Sequence, residues 1–387
     1  MTIFVDREAA VSVEASQPIG RAGRLACFCP PGVPTEGAPR RQPALLAAGF
    51  SLAVLSQTLV LGVLPLAGLL LAPQSKYATL PYIAMLCGAA VATFPASWLL
   101  DSFGRRASFA LGASHGIAGG LVMAWALTAQ AFAPFCLGAF WIGVAQGFSL
   151  FYRHEAAIGN GARDRIVAAG QVFGAGALAG IAGPWIVSQM EDLFPSAPYV
   201  GFALAAALAQ VGVLTLAMFA SQSEPARGAF VVSASRRVWL DALPPTVLAA
   251  AAWFGMTALM LSTPYAMIGC GIAATGVFSA LAWHVIAMYA PSLFVEAAAR
   301  RVGVRALAIA GLAMIVGARF VFGAASDAAD FTMLLVVIAI GWSLTTSAAT
   351  AWLHQPSSPP RLVLAAHDLA LFAAAIAGAL VAGTLVG

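Results

Sequence analysis

Apolar residues run along this chain in blocks of about 20 or more, broken by short polar stretches. Strict apolar/polar alternation is absent, so each block predicts a spanning helix rather than a barrel strand. Eleven blocks can be placed, near 44–68, 79–100, 107–129, 132–152, 166–188, 198–220, 246–269, 272–294, 306–325, 331–353 and 362–386. The residues before them, including CPPGVPTEGAPRRQP, are polar and proline-rich and predict a disordered tail over 1–43. No short apolar core precedes a small-residue cleavage site there, so the tail is not expected to be a signal peptide. The longest internal polar stretch, SQSEPARGAFVVSASRRVW, follows the sixth block. It predicts a cytoplasmic linker over 221–245 between a six-helix bundle, 44–220, and a second bundle, 246–387. Two similar halves are the layout of many secondary transporters.

Composition agrees with the pattern. Of 387 residues, 61% are hydrophobic and 9% charged. A water-soluble domain could not cover its surface with so few charges, so an all-α, multi-pass membrane protein is expected. Charge sets its orientation. Seventeen of the 19 basic residues fall in the tail or in alternate loops, among them Arg105, Arg106, Arg153, Arg165, Arg237, Arg301 and Arg361. The basic side, with the N-terminus, is expected to be cytoplasmic. The net charge of +4 is then an orientation signal, and no nucleic-acid partner is expected. There is no GxxxxGK[ST] loop, so transport is not expected to run on ATP hydrolysis by this chain.

Between the second and third blocks stands SWLLDSFGRR, residues 97–106. It resembles the cytoplasmic signature of the major facilitator superfamily at Asp101, Gly104, Arg105 and Arg106. Ser97 and Ser102 depart from that signature. The resemblance implies that superfamily's fold of two pseudo-symmetric helical bundles, with twelve spans where eleven are readable here. It also implies a gating role for Asp101, Arg105 and Arg106. An aspartate at a helix end can hold an arginine across the cytoplasmic interface. The competing reading is that the arginines only anchor the loop. EAAARRVGVR (296–305) occupies the equivalent loop of the second half, and the glycines of GALAGIAGP (176–184) read as close helix packing.

Four side chains carry the candidate chemistry. Met256 and Met260 in the seventh block, and His284 and Met288 in the eighth, are each spaced i, i+4 and so share a helix face. Cys270 marks the turn between these blocks. Met256 precedes it by 14 residues and His284 follows it by 14, so in an antiparallel hairpin both lie about 21 Å from the turn. Met267 and Cys270 would stand at the periplasmic mouth. Thioethers with a neutral imidazole favour Cu(I) over zinc, calcium or magnesium. Methionines also fill ordinary cores. An intramembrane histidine with no ionic partner in its helix is harder to explain by packing.

M-x-x-x-M followed by H-x-x-x-M, with TP at 263–264, HVIAMYAPSLF at 284–294 and YR at 152–153, resembles the CcoA-like copper importers of bacteria. That resemblance implies import of copper across the inner membrane for cytochrome oxidase assembly. Met256, Met260, His284 and Met288 would be the metal ligands, copper the transported substrate, and no cofactor would be tightly bound. A cytoplasmic copper chaperone is a candidate partner, and a monomer in the bilayer is expected. The alternative is a riboflavin or other organic-solute permease, suggested by Trp253, Tyr265, Trp283 and Tyr289 around the site. A membrane metal-binding assembly factor is a third class. An enzyme is not expected. Cys27 and Cys29 in the tail are further candidate copper ligands. Asp368 is a candidate for proton coupling or for stabilising its helix start. Cys87 and Cys136 read as core, and His115 and Arg319 have no assigned role.

Overall fold

The computed structural model describes residues 41–158, 162–194, 199–220, 234–355 and 359–386, and these are helical apart from short turns. Nearly all of the expected tail, with Cys27 and Cys29, lies outside the described residues, as does most of the expected linker. The helices are α1 (Arg41–Leu71), α2 (Leu80–Thr128), α3 (Phe132–Ala157), α4 (Ala162–Gly174), α5 (Ala177–Leu193), α6 (Val200–Phe219), α7 (Arg236–Gly269), α8 (Ala274–Tyr289), α9 (Val295–Val302), α10 (Val304–Val321), α11 (Ala328–Leu353) and α12 (Arg361–Val386). Ten stretches of described residues are long and apolar enough to cross a membrane.

One of these ten counts twice. The stretch Ser75–Thr128 is 54 residues long, about 80 Å of helix against a bilayer core of about 30 Å. It bends at Gly104, where φ is 79° and ψ is −176°. That φ favours glycine, because a Cβ would meet the backbone. The second and third spans are therefore the two arms of α2, and the described crossings number eleven, as the apolar pattern predicts. Gly303, between α9 and α10, has φ of 82° in the equivalent loop of the second half. The same turn thus recurs in both bundles, at the two glycines that follow an acidic residue or a basic pair.

Two expectations are corrected. Residues 236–245 are not linker: α7 begins at Arg236, because the Ser235 side chain caps it by accepting from the Val238 amide. Pro244 and Pro245 are tolerated inside it. The seventh and eighth spans are also not a packed hairpin. α7 lies against α12 and α11, α8 lies against α11 and α5, and the two barely touch. Across the two bundles, α2 meets α12 and α5 meets α8. Outward faces are apolar, with Phe320 82% and Trp185 68% exposed, as a lipid-facing surface requires. The chain is a multi-pass membrane protein.

Candidate solute-binding site

A cavity lies where the two bundles face each other. Its wall takes residues from α1, α2, α3, α7, α8, α11 and α12. Aromatic rings dominate one side. Trp342 lies 5.2 Å from Trp253 and 6.0 Å from Tyr289 between ring centres, and Phe50 lies 5.8 Å from Tyr289. The tilted and edge-on angles are those that ring quadrupoles prefer. Polar groups are few. The Gln57 amide donates to the Ser149 hydroxyl at 3.2 Å, and Trp253 Nε1 donates to the Thr346 hydroxyl at 3.1 Å. Trp342 Nε1 and Gln146 Oε1 have no partner, although both side chains belong to the wall. An unpaired donor and an unpaired acceptor, buried among rings, suit a ligand that carries both.

The expected metal residues divide. Met256, Met260 and Met288 all line this cavity, as the i, i+4 spacing on α7 predicts. His284 is absent from the wall. Its Nδ1 donates to the Leu335 carbonyl of α11 at 2.8 Å, and its Nε2 has no partner. The hairpin expectation set His284 beside Met256, but α11 packs against both of their helices instead. Met267 is fully buried and Cys270 is exposed, and neither reaches the wall. Tyr289 lines the cavity, whereas Trp283 is 57% exposed on the outer face.

The end that carries the arginines is closed by ion pairs between the bundles. Asp101 does not pair with Arg105. It binds Arg361 of α12, which also reaches Glu155 of α3 at 2.8 Å. Arg105 binds Glu155 at 2.6 Å, and Arg106 donates to the Ala220 carbonyl. Next to this layer, Arg153 of α3 binds Asp368 of α12 at 2.6 Å, with both side chains buried. His154 and His354 join them, with Nδ1 of the first 3.1 Å from Nε2 of the second. Burial, then the nearby His154, Arg153 and Arg165, push the His354 ring, just past α11, down to about 3. Sequence reading missed Glu155, His154, His354 and the partners of Arg153 and Arg361. The dipeptides YR at 152–153 and HD at 367–368 were visible, but nothing local says that they meet.

These helices, bundles and central cavity are those of the major facilitator superfamily fold. Solved structures with this fold include the human organic anion transporter MFSD10, 15% identical with 89% of this chain and 92% of that one covered at a TM-score of 0.64. The proton:xylose symporter XylE is 13% identical, covers 87% and 86%, and has a TM-score of 0.67. A bacterial homologue of the iron transporter ferroportin is 14% identical, with 89% and 97% covered and a TM-score of 0.60. No family model matches the chain. Among curated proteins it is similar to the riboflavin transporter RfnT of Brucella anthropi, at 28% identity over 356 residues, 90% of this chain and 89% of that one. That relative is a riboflavin transporter, whereas the sequence reading pointed to the CcoA-like copper importers.

Proposed function

We propose that the protein is a secondary transporter of the bacterial inner membrane that imports riboflavin, or a flat heteroaromatic solute of that size, by alternating access. The observation that carries this reading is the central cavity, with a cluster of aromatic rings on its wall and the unpaired Trp342 Nε1 and Gln146 Oε1. A flat heterocycle offers faces to the rings and both donors and acceptors at its edge. The wall is mostly apolar, with a few polar groups among aromatic rings, as small-molecule sites usually are. The similarity to a riboflavin transporter over nine-tenths of the chain supports the same substrate. In this reading the arginine-rich end is cytoplasmic, and one chain encloses the whole cavity, so a monomer suffices.

A second reading is copper import, with copper as substrate and delivery to a cytoplasmic chaperone for cytochrome oxidase assembly. Two observations favour it: three thioethers share one wall, and the Leu335 bond on Nδ1 of His284 leaves Nε2 with a free lone pair. Soft neutral donors of this kind suit Cu(I). Uptake by vesicles containing the purified protein separates the readings. Labelled riboflavin is expected to enter saturably, with at least a tenfold loss in Tyr289→Ala. The double change Met256→Ala and His284→Ala, one on the wall and one off it, is expected to lower riboflavin uptake less than Tyr289→Ala does. Copper uptake that this double change abolishes, with no riboflavin movement in any variant, would reverse the order of the two readings.

A further inference from the structure

A second, smaller cavity lies at the arginine-rich end. Its wall takes Arg153 from α3, Arg165 from α4, Ser347 and Thr350 from α11, and His354 just past α11. The first two helices belong to one bundle and α11 to the other. Phe173 of α4 lines this cavity as well, and its ring centre lies 5.1 Å from that of Tyr289 and 5.7 Å from that of Trp342, both on the solute cavity. Aromatic rings therefore stand between the two spaces. The smaller one is about 20 Å³. That admits a guest the size of a water and leaves no room for an organic solute.

Three polar atoms of the residues on this wall are buried without a hydrogen-bond partner: Arg153 Nη1, Ser347 Oγ and His354 Nδ1. Arg153 is 1% exposed and His354 2%. The rest of the Arg153 guanidinium is occupied, with Nη2 donating to Asp368 at 2.6 Å and Nε to His154 Nε2 at 3.4 Å. The second of these bonds sets the histidine protons. A guanidinium can only donate, so His154 Nε2 accepts and the His154 proton sits on Nδ1. From there it is given to His354 Nε2 at 3.1 Å. Burial and nearby cations keep the His354 ring neutral, so its one proton sits on the unpaired Nδ1. All three unpaired atoms can therefore donate. The Thr350 hydroxyl already gives its proton to the Thr346 carbonyl. A water placed here would bring two hydrogens of its own, whereas an anion brings none and accepts from every donor.

We propose that this cavity is a halide site, and that chloride bound in it ties the two bundles together at the arginine-rich end. Chloride is little larger than a water, so it fits where phosphate or a carboxylate-bearing solute does not. Charged and neutral N–H and O–H donors suit it, and Arg165 adds a second positive charge to the same wall. Arg153 and Arg165 reach the ion from one bundle, Ser347 and His354 from the other. Its loss leaves those donors unpaired and removes a link between the halves. The site stands whatever solute the central cavity takes.

Thermal melting of the full chain in detergent tests the site without any solute. At fixed ionic strength, replacing gluconate, which is far too large for the cavity, by chloride should raise the melting temperature saturably, by about 2–4 °C once the site is full. In Ser347→Ala and in Arg165→Gln that chloride-dependent rise should fall by at least half, whatever the melting temperature of each variant in gluconate. No difference between the two salts, or a difference that both variants keep in full, overturns the proposal. In crystals grown with bromide, an anomalous peak is expected between Arg153 and Ser347, and its absence there overturns the site. The tie between the bundles has its own readout. Spin labels are placed at Ala107→Cys and Arg301→Cys, both exposed near the arginine-rich end, in the full chain without its native cysteines and in lipid discs. The distance between them is expected to be shorter in chloride than in gluconate. A distance that ignores chloride refutes the tie, while melting and bromide still decide the site.

Discussion

At the scale of the residue, the informative groups are those left without partners. Trp342 Nε1 is buried and unpaired, whereas the neighbouring Trp253 satisfies its own nitrogen on Thr346. A hydrogen bond to a bound solute is worth about 0.5–1.5 kcal/mol, so Trp342→Phe, which keeps a ring and loses the donor, should weaken riboflavin binding by roughly two- to twelvefold. Titration calorimetry on the purified variant measures this, and an unchanged affinity would remove Trp342 from the recognition set. Folding should not suffer much, since the change removes a buried unsatisfied donor. His284 shows how far such groups are legible in a sequence. Its lack of an ionic partner could be read directly from the apolar residues around it. Its real partner, the Leu335 carbonyl, is a backbone group on another helix, and no side-chain pattern reports it.

At the scale of the element, the apolar runs were enough to place the eleven crossings, because a helix in lipid must satisfy its own backbone and so writes its length into the sequence. Which helix touches which was not legible. A lipid-facing side and a helix-facing side are equally apolar, so adjacency in sequence was mistaken for adjacency in space at α7 and α8. The usable signal for contact is small residues, and it has a strong instance between α2 and α3. A Cβ added at Gly143 would stand 1.8 Å from the Met85 carbonyl oxygen. Backbone cannot yield as a side chain does, so Gly143→Val should force the helices apart at a cost of at least about 1–3 kcal/mol. The expected outcome is a sharp drop in the melting temperature of the detergent-purified protein and in its yield. A variant as stable as wild type would mean that the two helices pack less closely than described.

At the scale of the whole molecule, the gating motif was recognisable from Asp101, Gly104 and the arginine pair, but its circuit was not. The arginine that Asp101 holds is Arg361, 260 residues away, and it read as one more positive anchor. Its guanidinium ties α12 to both Asp101 and Glu155. Arg361→Gln should therefore loosen the arginine-rich end. Thr350→Cys, buried at the end of α11, should then react with a membrane-impermeant maleimide from that side at least several-fold faster than in the Arg361 background. An unchanged rate would mean that the bridge does not hold the end closed. The ion pairs have one more property. The carboxylates are Asp101, Glu155 and Asp368, and the arginines bound to them are Arg105, Arg361 and Arg153, three of each sign. Such a set is electrically silent. A membrane voltage does work of about 2.3 kcal/mol per 100 mV on each unit of net charge that moves across it, and here the net is zero. The voltage can neither hold this lock shut nor spring it, so whatever turns the key must bring its own charge.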